Sequence, residues 1–434
     1  MFQVKLILTL FSITSITGFE HTFCDSGDDF EICGYSDTIT AITPLTNGSN
    51  LVLEVNRFVN IDEMAFHTVK VVDRLELSHP KPDLCTPKFV NISALEKMKV
   101  RGSVTLQCIQ IPPNLDVFST FAKVEELSVE NVKFNGYSKL FYRNFGNLKI
   151  FTLSHHDDAI ILPKIFDGVH RSLNELRIYY KIRDIEPRAF ERFEYLQCLI
   201  IAMTELTRLK ADMFEGLNEL EYLSLASNKI TALRSNDFIK LVELKELQLS
   251  NNRISEIENG TFTGLKLRIL NLENNRLKNL PTDGFQNLES LETVNLGLNR
   301  IRTIPLNIFR MCFNLQWLNL DNNKIKNIEP FTFWGLHLNG LDLTHNKLRV
   351  LENYTFIGLE VRELMDLRFN NINKIQPQAF TGFIAESKVT LCRNNMTETN
   401  GKEWGAKNIH INISDSCSLP VNQVNITENI EELK

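Results

Sequence analysis

A repeat of the form L-x-x-L-x-L-x-x-N-x-L runs through the middle of the chain and constrains its fold more than any other feature. Self-similarity at a fixed period of this kind is the sequence mark of a solenoid, in which each repeat forms one coil and stacks on the next. Within the L-x-L segment alternate side chains of a short strand point to opposite sides, so the leucines face inward. Copies spaced by 23 or 24 residues begin at Leu220, Leu244, Leu267, Leu291, Leu315 and Leu338.

The asparagine of each repeat stands where the chain turns off the strand. Its amide can satisfy backbone groups that the turn leaves unpaired, so we interpret these residues as structural rather than as ligands. They are Asn228, Asn252, Asn275, Asn299, Asn323 and Asn346.

A phenylalanine recurs in the segment that follows each strand. At one per coil, these rings are predicted to stack into an aromatic spine in the core rather than to form a cofactor site. They are Phe214, Phe238, Phe262, Phe285, Phe309, Phe333, Phe356 and Phe380.

The N-terminus and the overall charge indicate the class of protein. Residues 1–18 (MFQVKLILTLFSITSITG) have one early lysine, an apolar run and then small residues, which is typical of a secretory signal peptide; the alternative is a buried first strand. The formal net charge of −6 gives no basic footprint for nucleic acid or anionic membrane. No other segment is long and apolar enough to predict a transmembrane helix.

N-x-S/T sequons follow the predicted signal peptide in a number that fits a glycosylated extracellular protein. Localisation is therefore predicted to be secreted. The seven candidate acceptors are Asn47, Asn91, Asn259, Asn353, Asn395, Asn412 and Asn425.

Six of the eight cysteines are predicted to form disulfides in an oxidising compartment. A short closed loop near the N-terminus would cap the first coil, and another near Trp404 would cap the last. The first pair has the alternative that either cysteine pairs elsewhere, and Cys108 has the alternative of a small buried thiol. The predicted pairs are Cys24–Cys33, Cys85–Cys108 and Cys392–Cys417.

The other two cysteines fall on the repeat pattern. Cys312 takes an inward leucine position and is predicted to be a buried free thiol. Cys198 takes an outward strand position, where it either pairs between chains or is a thiol covered by its neighbours.

These signals predict one elongated body with five segments. They are a signal peptide at 1–18, an N-terminal cap at 19–50, about 13 repeats at 51–387, a C-terminal cap at 388–418 and a flexible tail at 419–434.

Motifs of catalysis, phosphate binding and metal binding are not found in the sequence. The run HHDD at 155–158 lacks a partner elsewhere in the sequence and fits a solvated turn. We therefore predict no enzyme activity, no cofactor and no metal.

The residues quoted above resemble the extracellular leucine-rich repeat family of about 24 residues per unit, clearly over 120–390 and loosely over 50–120. The chain resembles Toll-type receptor ectodomains and the secreted leucine-rich immune proteins of insects. The resemblance implies an α/β fold: a curved, horseshoe-shaped solenoid with a parallel β-sheet on the concave face, irregular convex loops and cysteine-containing caps. The C-terminal flank departs from the family by lacking a dense cysteine cluster.

The non-leucine strand positions are predicted to project from the concave sheet and to form its contact surface. Around 175–222 they become aromatic and apolar, as interfaces are; the alternatives are a degenerate repeat that tolerates odd residues, or a covering loop. Farther along they are predicted to be polar, with Asn271, Asn295, Asn319 and Asp342 among them. The candidate binding residues are Tyr179, Tyr180, Ile200, Met203, Tyr222 and Trp317.

Together these features predict a secreted glycoprotein that recognises a protein or a glycoconjugate on its concave face, with a role in innate immunity. The alternative is an extracellular matrix or adhesion protein, or a receptor-like ectodomain, that acts as a homo- or heterodimer.

Overall fold

The structure is a computed structural model that divides into two compact units, residues 1–201 and 202–434. The predicted signal peptide and C-terminal tail lie outside the described residues. The described residues are 22–26, 29–35, 38–44, 50–54, 59–62, 64–78, 88–91, 95, 98–111, 121–134, 142, 145–154, 159–161, 163–179, 181–385, 388–396, 404–405 and 410–412.

Strands make up most of the regular structure of the first unit, with a short 3-10 helix at Pro163–Phe166. The last strand ends on the first residue of the second unit. The strands are β1 (Thr22–Ser26), β2 (Phe30–Tyr35), β3 (Thr38–Pro44), β4 (Asn50–Glu54), β5 (Val59–Ile61), β6 (Val71–Ser78), β7 (Lys88–Asn91), β8 (Lys99–Gln107), β9 (Ile109–Ile111), β10 (Glu126–Glu130), β11 (Lys133–Phe134), β12 (Ile150–Ser154), β13 (Ala159–Ile161), β14 (Glu175–Tyr179), β15 (Ile182–Ile185) and β16 (Cys198–Ala202).

The first unit begins with an antiparallel arrangement and continues as parallel coils. Strands β1, β2 and β3 pair antiparallel, and β5, β7, β9 and β11 extend their sheet in parallel. The main sheet is parallel and runs β4-β6-β8-β10-β12-β14-β16. Strands β13 and β15 form a separate parallel pair.

The second unit has shorter strands and a 3-10 helix at Ala211–Phe214. The strands are β17 (Tyr222–Ser224), β18 (Ala232–Leu233), β19 (Glu246–Gln248), β20 (Glu256–Ile257), β21 (Ile269–Asn271), β22 (Thr293–Asn295), β23 (Trp317–Asn319), β24 (His337–Asp342), β25 (Val350–Leu351), β26 (Glu360–Asp366), β27 (Lys374–Ile375), β28 (Ile384–Ala385), β29 (Lys388–Thr390) and β30 (His410–Asn412).

One parallel sheet joins successive coils of the second unit. It runs β17-β19-β21-β22-β23-β24-β26-β29-β30, and β28 also pairs with β26. Two-stranded ladders, β18-β20 and β25-β27, lie in the loops that follow the strands. Each unit is thus a stack of coils with a parallel sheet, which confirms the predicted solenoid class.

The core of each coil follows from the alternation of side chains along its strand. The central leucines of neighbouring coils, such as Leu247, Leu270 and Leu318, are fully buried. Their flanking residues face the other side of the sheet, because successive side chains of a strand alternate. One coil cannot enclose its own leucines, so stability depends on the interfaces between coils.

The repeated asparagines bind backbone, as predicted. The Nδ2 of Asn299 donates to the carbonyl oxygens of Leu272 at 2.9 Å, Leu296 at 3.1 Å and Gly297 at 3.0 Å. Its Oδ1 accepts from the backbone N–H of Leu277 at 3.1 Å. Because the bonds to Leu272 and Leu277 cross to the preceding coil, the ladder helps to set the distance between coils. Asn370 and Asn394 continue the same pattern beyond the asparagines identified from the sequence.

The predicted phenylalanine spine is also present. Each ring from Phe214 to Phe356 lies against the next with centroids 5.5 to 6.5 Å apart and planes within 19° of parallel. Phe356 and Phe380 continue it at 5.1 Å. The stack fills the loop side of the coils and leaves the face of the sheet opposite the leucines free to carry other side chains.

Among the described residues, no helix has the length and apolar character that crossing a membrane requires.

Candidate recognition surface on the sheet of the second unit

Four rows of side chains cross the strands β19 to β26 on the side of the sheet opposite the leucine core. Strand register aligns the first two rows, and backbone hydrogen bonds between the following turns align the other two. We call this side the open face. Row 1 comprises Glu246, Ile269, Thr293, Trp317, Gly340 and Leu364. Row 2 comprises Gln248, Asn271, Asn295, Asn319, Asp342 and Asp366. Row 3 comprises Ser250, Glu273, Gly297, Asp321, Thr344 and Arg368. Row 4 comprises Asn251, Asn274, Leu298, Asn322, His345 and Phe369.

Row 2 is largely buried and holds the turn that follows each strand. The Oδ1 of Asn295 accepts from the N–H of Gly297 at 3.0 Å, and that of Asn319 accepts from Asp321 at 2.8 Å. The Oδ1 atoms of Asn271, Asp342 and Asp366 likewise accept from the backbone N–H two residues later. The interpretation of these residues as polar contact positions was therefore wrong for Asn271 and Asn295, which are at most 5% exposed. Their amides are used by their own turns.

Trp317 in row 1 is half-buried and projects toward the next strand. A Cβ built on Gly340 would lie 2.3 Å from Cζ3 and 2.5 Å from Cε3 of its indole, so the ring occupies the space that any other residue at 340 would need. Gly340 is its register partner on β24. The structure thus places the predicted binding residue Trp317 on the open face, with its ring held over a glycine.

Three carboxylates in rows 2 and 3, those of Glu273, Asp321 and Asp342, are in none of the ion pairs of the described residues. The Oε2 of Glu273 accepts from the Nδ2 of Asn295 at 3.1 Å, and the Oδ2 of Asp321 accepts from Asn322 at 2.6 Å. Burial, with the charge of Asp321, raises the pKa of Glu273. Burial, with the charges of neighbouring aspartates, raises the pKa of Asp342 to about 7. The open face thus carries acidic groups on the coils of β21, β23 and β24, the second of which also carries Trp317.

The shift of Asp342 makes stability depend on pH. Between about pH 4, where the unfolded carboxyl titrates, and about pH 7, the folded state keeps a proton that the unfolded chain has released. The free energy of unfolding therefore falls as pH rises through this window. We expect Asp342→Asn, which keeps the acceptor for Thr344, to stabilise the protein by about 1–2 kcal/mol at pH 8 and to have little effect at pH 5. Denaturant unfolding at both pH values measures this difference, and an equal effect at both would contradict it.

Ion pairs border this region on both sides. Arg268 and Glu292 form a two-bonded pair, with Nε–Oε1 and Nη2–Oε2 both at 2.9 Å, on the residues that precede row 1. Asp366 and Arg368 form a buried pair on the other side, with Nη2–Oδ2 at 2.6 Å. These pairs compensate their own charges, and Arg368 also interacts electrostatically with Asp342, so Glu273 and Asp321 are the acidic groups of rows 2 and 3 that these two pairs leave without a cation.

The aromatic and apolar patch predicted upstream is divided between the two units. Tyr179 and Ile200 are half-buried on β14 and β16 in the first unit. In the second unit, Met203 is 58% exposed and Tyr222 is half-buried at the start of β17. Tyr180 lies outside the described residues. The patch as a binding site stays a prediction.

The sequons of the second unit that the structure describes lie off the open face. Asn259 and Asn353 are exposed in loops beside the phenylalanine spine, and Asn395 is exposed beyond β29. The side chains of Asn47, Asn91, Asn412 and Asn425 lie outside the described part of the chain. Attachment of glycans stays a prediction at all seven acceptors.

The cysteines fall into the two predicted groups as far as the structure describes them. Cys24 and Cys33 face each other in the register of β1 and β2, and the sulfurs of Cys33, Cys108 and Cys392 are disulfide-bonded. The sulfurs of Cys24, Cys85 and Cys417 lie outside the described residues, so the three pairings stay predictions.

The predicted buried thiol is confirmed. Cys312 is 1% exposed, its Sγ lies 3.8 Å from the carbonyl oxygen of Phe285, and burial raises its pKa to about 12. Cys198 lies partly exposed on β16, and its pairing between chains stays a prediction.

Charged side chains line a cleft of about 620 Å³ in the first unit. Two of its arginines are already paired, Arg171 with Glu194 at 3.3 Å and Arg192 with Asp167 at 3.6 Å. Within the described residues no group of His, Cys, Asp and Glu could hold a metal ion; the HHDD run at 155–158 lies outside them. The open face of the second unit is therefore the stronger candidate.

Sequence reasoning placed Trp317 on this face. It missed Gly340, over which the indole lies, and Arg368, which pairs with Asp366 at the end of the face. Gly340 interrupts a row of side chains, and a glycine at a strand position signals the close approach of another group. Arg368 is the one basic residue of row 3, whose members in the preceding coils are neutral or acidic. Either departure from the repeat could have marked this end of the sheet.

A family model described as leucine rich repeat matches the chain in six overlapping segments that together span more than half of it. No curated protein matches the chain. A leucine-rich repeat protein of Leptospira interrogans is 19% identical with a TM-score of 0.55, over 82% of this chain and 92% of the other. The Toll ectodomain of Drosophila, solved in complex with Spätzle, is 17% identical with a TM-score of 0.51; the match covers 89% of this chain and 56% of that one. Both likenesses concern the fold alone. The matched segments are residues 171–230, 194–254, 220–276, 265–325, 313–365 and 337–396.

Proposed function

The chain belongs to the leucine-rich repeat family, and we propose that it is a secreted glycoprotein that binds a protein or glycoconjugate through its open face. Folds of this family present surfaces, and the chemistry of a surface decides what it binds. The protein makes and breaks no bond of its ligand. Its action is recognition by side chains that the stacked coils hold in fixed register.

The observation that carries this proposal is the group of carboxylates outside the ion pairs, Glu273, Asp321 and Asp342, on the same face of the sheet as Trp317. Most charges around the group are paired, and maintaining Glu273 and Asp342 in a buried setting is unfavourable, as their raised pKa values indicate. A ligand that supplies hydrogen-bond donors or positive charge there would relieve that cost. An indole on the same face supplies the apolar contact that binding sites combine with polar ones.

The positions of the sequons and the likeness to known proteins support the same face and role. Asn259 and Asn353 lie off the open face, so glycans there would leave it accessible. The Drosophila Toll ectodomain, which has the same fold, was solved bound to Spätzle in a system of development and innate immunity. We extend this to a role for the present chain in immune recognition.

A glycan placed on the open face tests the proposal. Lys324→Thr makes Asn322, an exposed residue of row 4, the acceptor of a new sequon. Glu289→Thr does the same for the exposed Asn287, in the loop beside the phenylalanine spine. Both changes replace one exposed residue by threonine, so they form a matched pair.

The two variants and the unmodified protein are expressed in glycosylating cells, and mass spectrometry confirms the added glycan. Each is then used to capture partners from the extracellular fluid of the source organism. We expect the Asn287 glycan to leave capture unchanged and the Asn322 glycan to reduce it at least tenfold. Equal capture by both variants, with both glycans present, would exclude the open face.

A further inference from the structure

Two exposed aromatic side chains lie on the loop side of the second unit, away from the open face. Phe331 is 50% exposed and Trp334 is 60% exposed. Phe331 also has a left-handed backbone, with φ of 68°, which is unfavourable for a bulky residue. The backbone N–H of Trp334 donates to the carbonyl oxygen of Phe331 at 3.2 Å, so both residues belong to one turn. Neighbouring exposed apolar side chains mark an interaction site more often than scattered ones do.

The loop that carries them stacks on the loop that carries a sequon. Phe333 and Phe356 lie 6.5 Å apart with planes 9° from parallel, which places the two loops in register. In that register Pro330 corresponds to Asn353, and Trp334 corresponds to Ile357. The aromatic pair and the sequon are thus on adjacent coils of one surface.

Trp334 leans toward the coil of the sequon. A Cβ built on Gly358 would lie 2.4 Å from Cδ1 and 2.7 Å from Nε1 of its indole. The ring therefore rests directly on the backbone of Gly358, five residues after Asn353 in the same loop. Only a glycine at position 358 allows the indole to lie this close to the backbone of the next coil.

The side chain of Asn353 is held by a hydrogen bond to the following coil. Its Oδ1 accepts from the backbone N–H of Gln378, in the following coil, at 3.1 Å. Because a backbone N–H is the donor, the atom it meets is the oxygen. The Nδ2, which is the atom that carries an N-linked sugar, is on the other side of the amide group from that bond. Phe331 and Trp334 lie on the preceding coil, so a glycan at Asn353 needs to extend across one coil to reach them.

A second sequon occupies the same position relative to its spine phenylalanine, and the coil before it carries an exposed aliphatic residue in place of Trp334. Asn259 stands three residues before Phe262, as Asn353 stands three before Phe356, and the coil before it carries Ile239, which is 55% exposed. The residue that follows the spine phenylalanine in the other coils is polar or half-buried; these residues are Glu215, Thr263, Gln286, Arg310, Ile357 and Thr381. In this set, an exposed apolar residue occurs only in a coil that precedes a sequon.

We propose that Asn353 carries an N-glycan whose first N-acetylglucosamine packs on Trp334 and Phe331. This inference rests on the proposed secretion and glycosylation of the chain. The apolar face of the sugar covers the rings, and its hydroxyls keep that surface polar. The glycan is then part of the folded surface of the loop side, and Asn259 with Ile239 is a weaker copy of the same site.

A double-mutant cycle between the acceptor and the ring tests the contact. Asn353→Gln removes the glycan, and Trp334→Ser removes the ring. If they touch, Asn353→Gln lowers Tm by about 2 °C more in the unmodified protein than in Trp334→Ser, because loss of the hydrogen bond to Gln378 is common to both backgrounds and cancels. Asn395→Gln, at an exposed sequon outside this register, is the matched control and should behave alike in both backgrounds.

Two further measurements complete the test. Mass spectrometry of the Asn353 glycopeptide reports occupancy, and NMR of the glycoprotein reports an upfield shift of the N-acetyl methyl signal that Trp334→Ser abolishes. An unoccupied Asn353, or an equal loss of Tm in both backgrounds, overturns the proposal. Partner capture by Trp334→Ser stays unchanged if the open face binds, so failure of the glycan contact is distinguishable from failure of the proposed function.

Discussion

Replacing Phe309 by alanine is expected to lower the free energy of unfolding by about 3–5 kcal/mol. The ring is 1% exposed and lies between Phe285, at 5.5 Å, and Phe333, at 6.5 Å. Alanine would remove its buried area and leave a gap between two coils. A stack of phenylalanines in register can close such a gap only by moving whole coils, so relaxation should recover little of the loss.

Phe313→Ala is the matched control, because Phe313 is the same residue type four positions along and is 60% exposed. Its replacement should change stability by less than about 0.5 kcal/mol. Chemical denaturation followed by circular dichroism compares the two variants. A similar midpoint for both would show that the spine does not carry the stability assigned to it.

The sequence was informative where one residue has one structural role in every coil. The spine from Phe214 to Phe380 and the ladder through Asn299 were predicted from spacing alone, because stacking repeats the same contact at each step. A side chain that fits one coil must then fit the next. Cys312 was assigned correctly for the same reason, since its position is one that leucine takes in neighbouring coils.

The open face was harder to predict because its contacts differ from coil to coil. Spacing shows that Asn295 and Asp342 share a row. Whether their side chains bond to the turn after the strand or face a ligand depends on backbone geometry, which spacing does not reveal. The raised pKa of Asp342 depends on its burial and on the charges of Asp366 and Asp321, in the coils on either side. Likewise, the indole of Trp317 can lie where it does because Gly340 has no side chain to occupy that space.

Replacing Arg368, at the end of the open face, by methionine is expected to destabilise the protein by about 3–5 kcal/mol. Arg368 is 8% exposed, and its Nε lies 2.9 Å from each oxygen of Asp366, which is 2% exposed. Methionine replaces the aliphatic stem of the side chain but leaves a buried carboxylate without its cation. Thr390, whose Oγ1 donates to Asp366 at 3.0 Å, cannot replace that charge.

The same strand supplies the control, because Glu360 and Arg362 are also two residues apart on β26 and form a pair at 3.1 Å with Arg362 exposed. Arg362→Met should lower stability by less than about 1 kcal/mol, since water replaces the lost partner. Adding Asp366→Asn to Arg368→Met should restore much of the loss, because the row-2 neighbours Asn295 and Asn319 show that this turn accepts an amide. Urea unfolding of the three variants decides the matter: if the added Asp366→Asn restores nothing, the loss comes from packing of the arginine stem and not from the stranded charge.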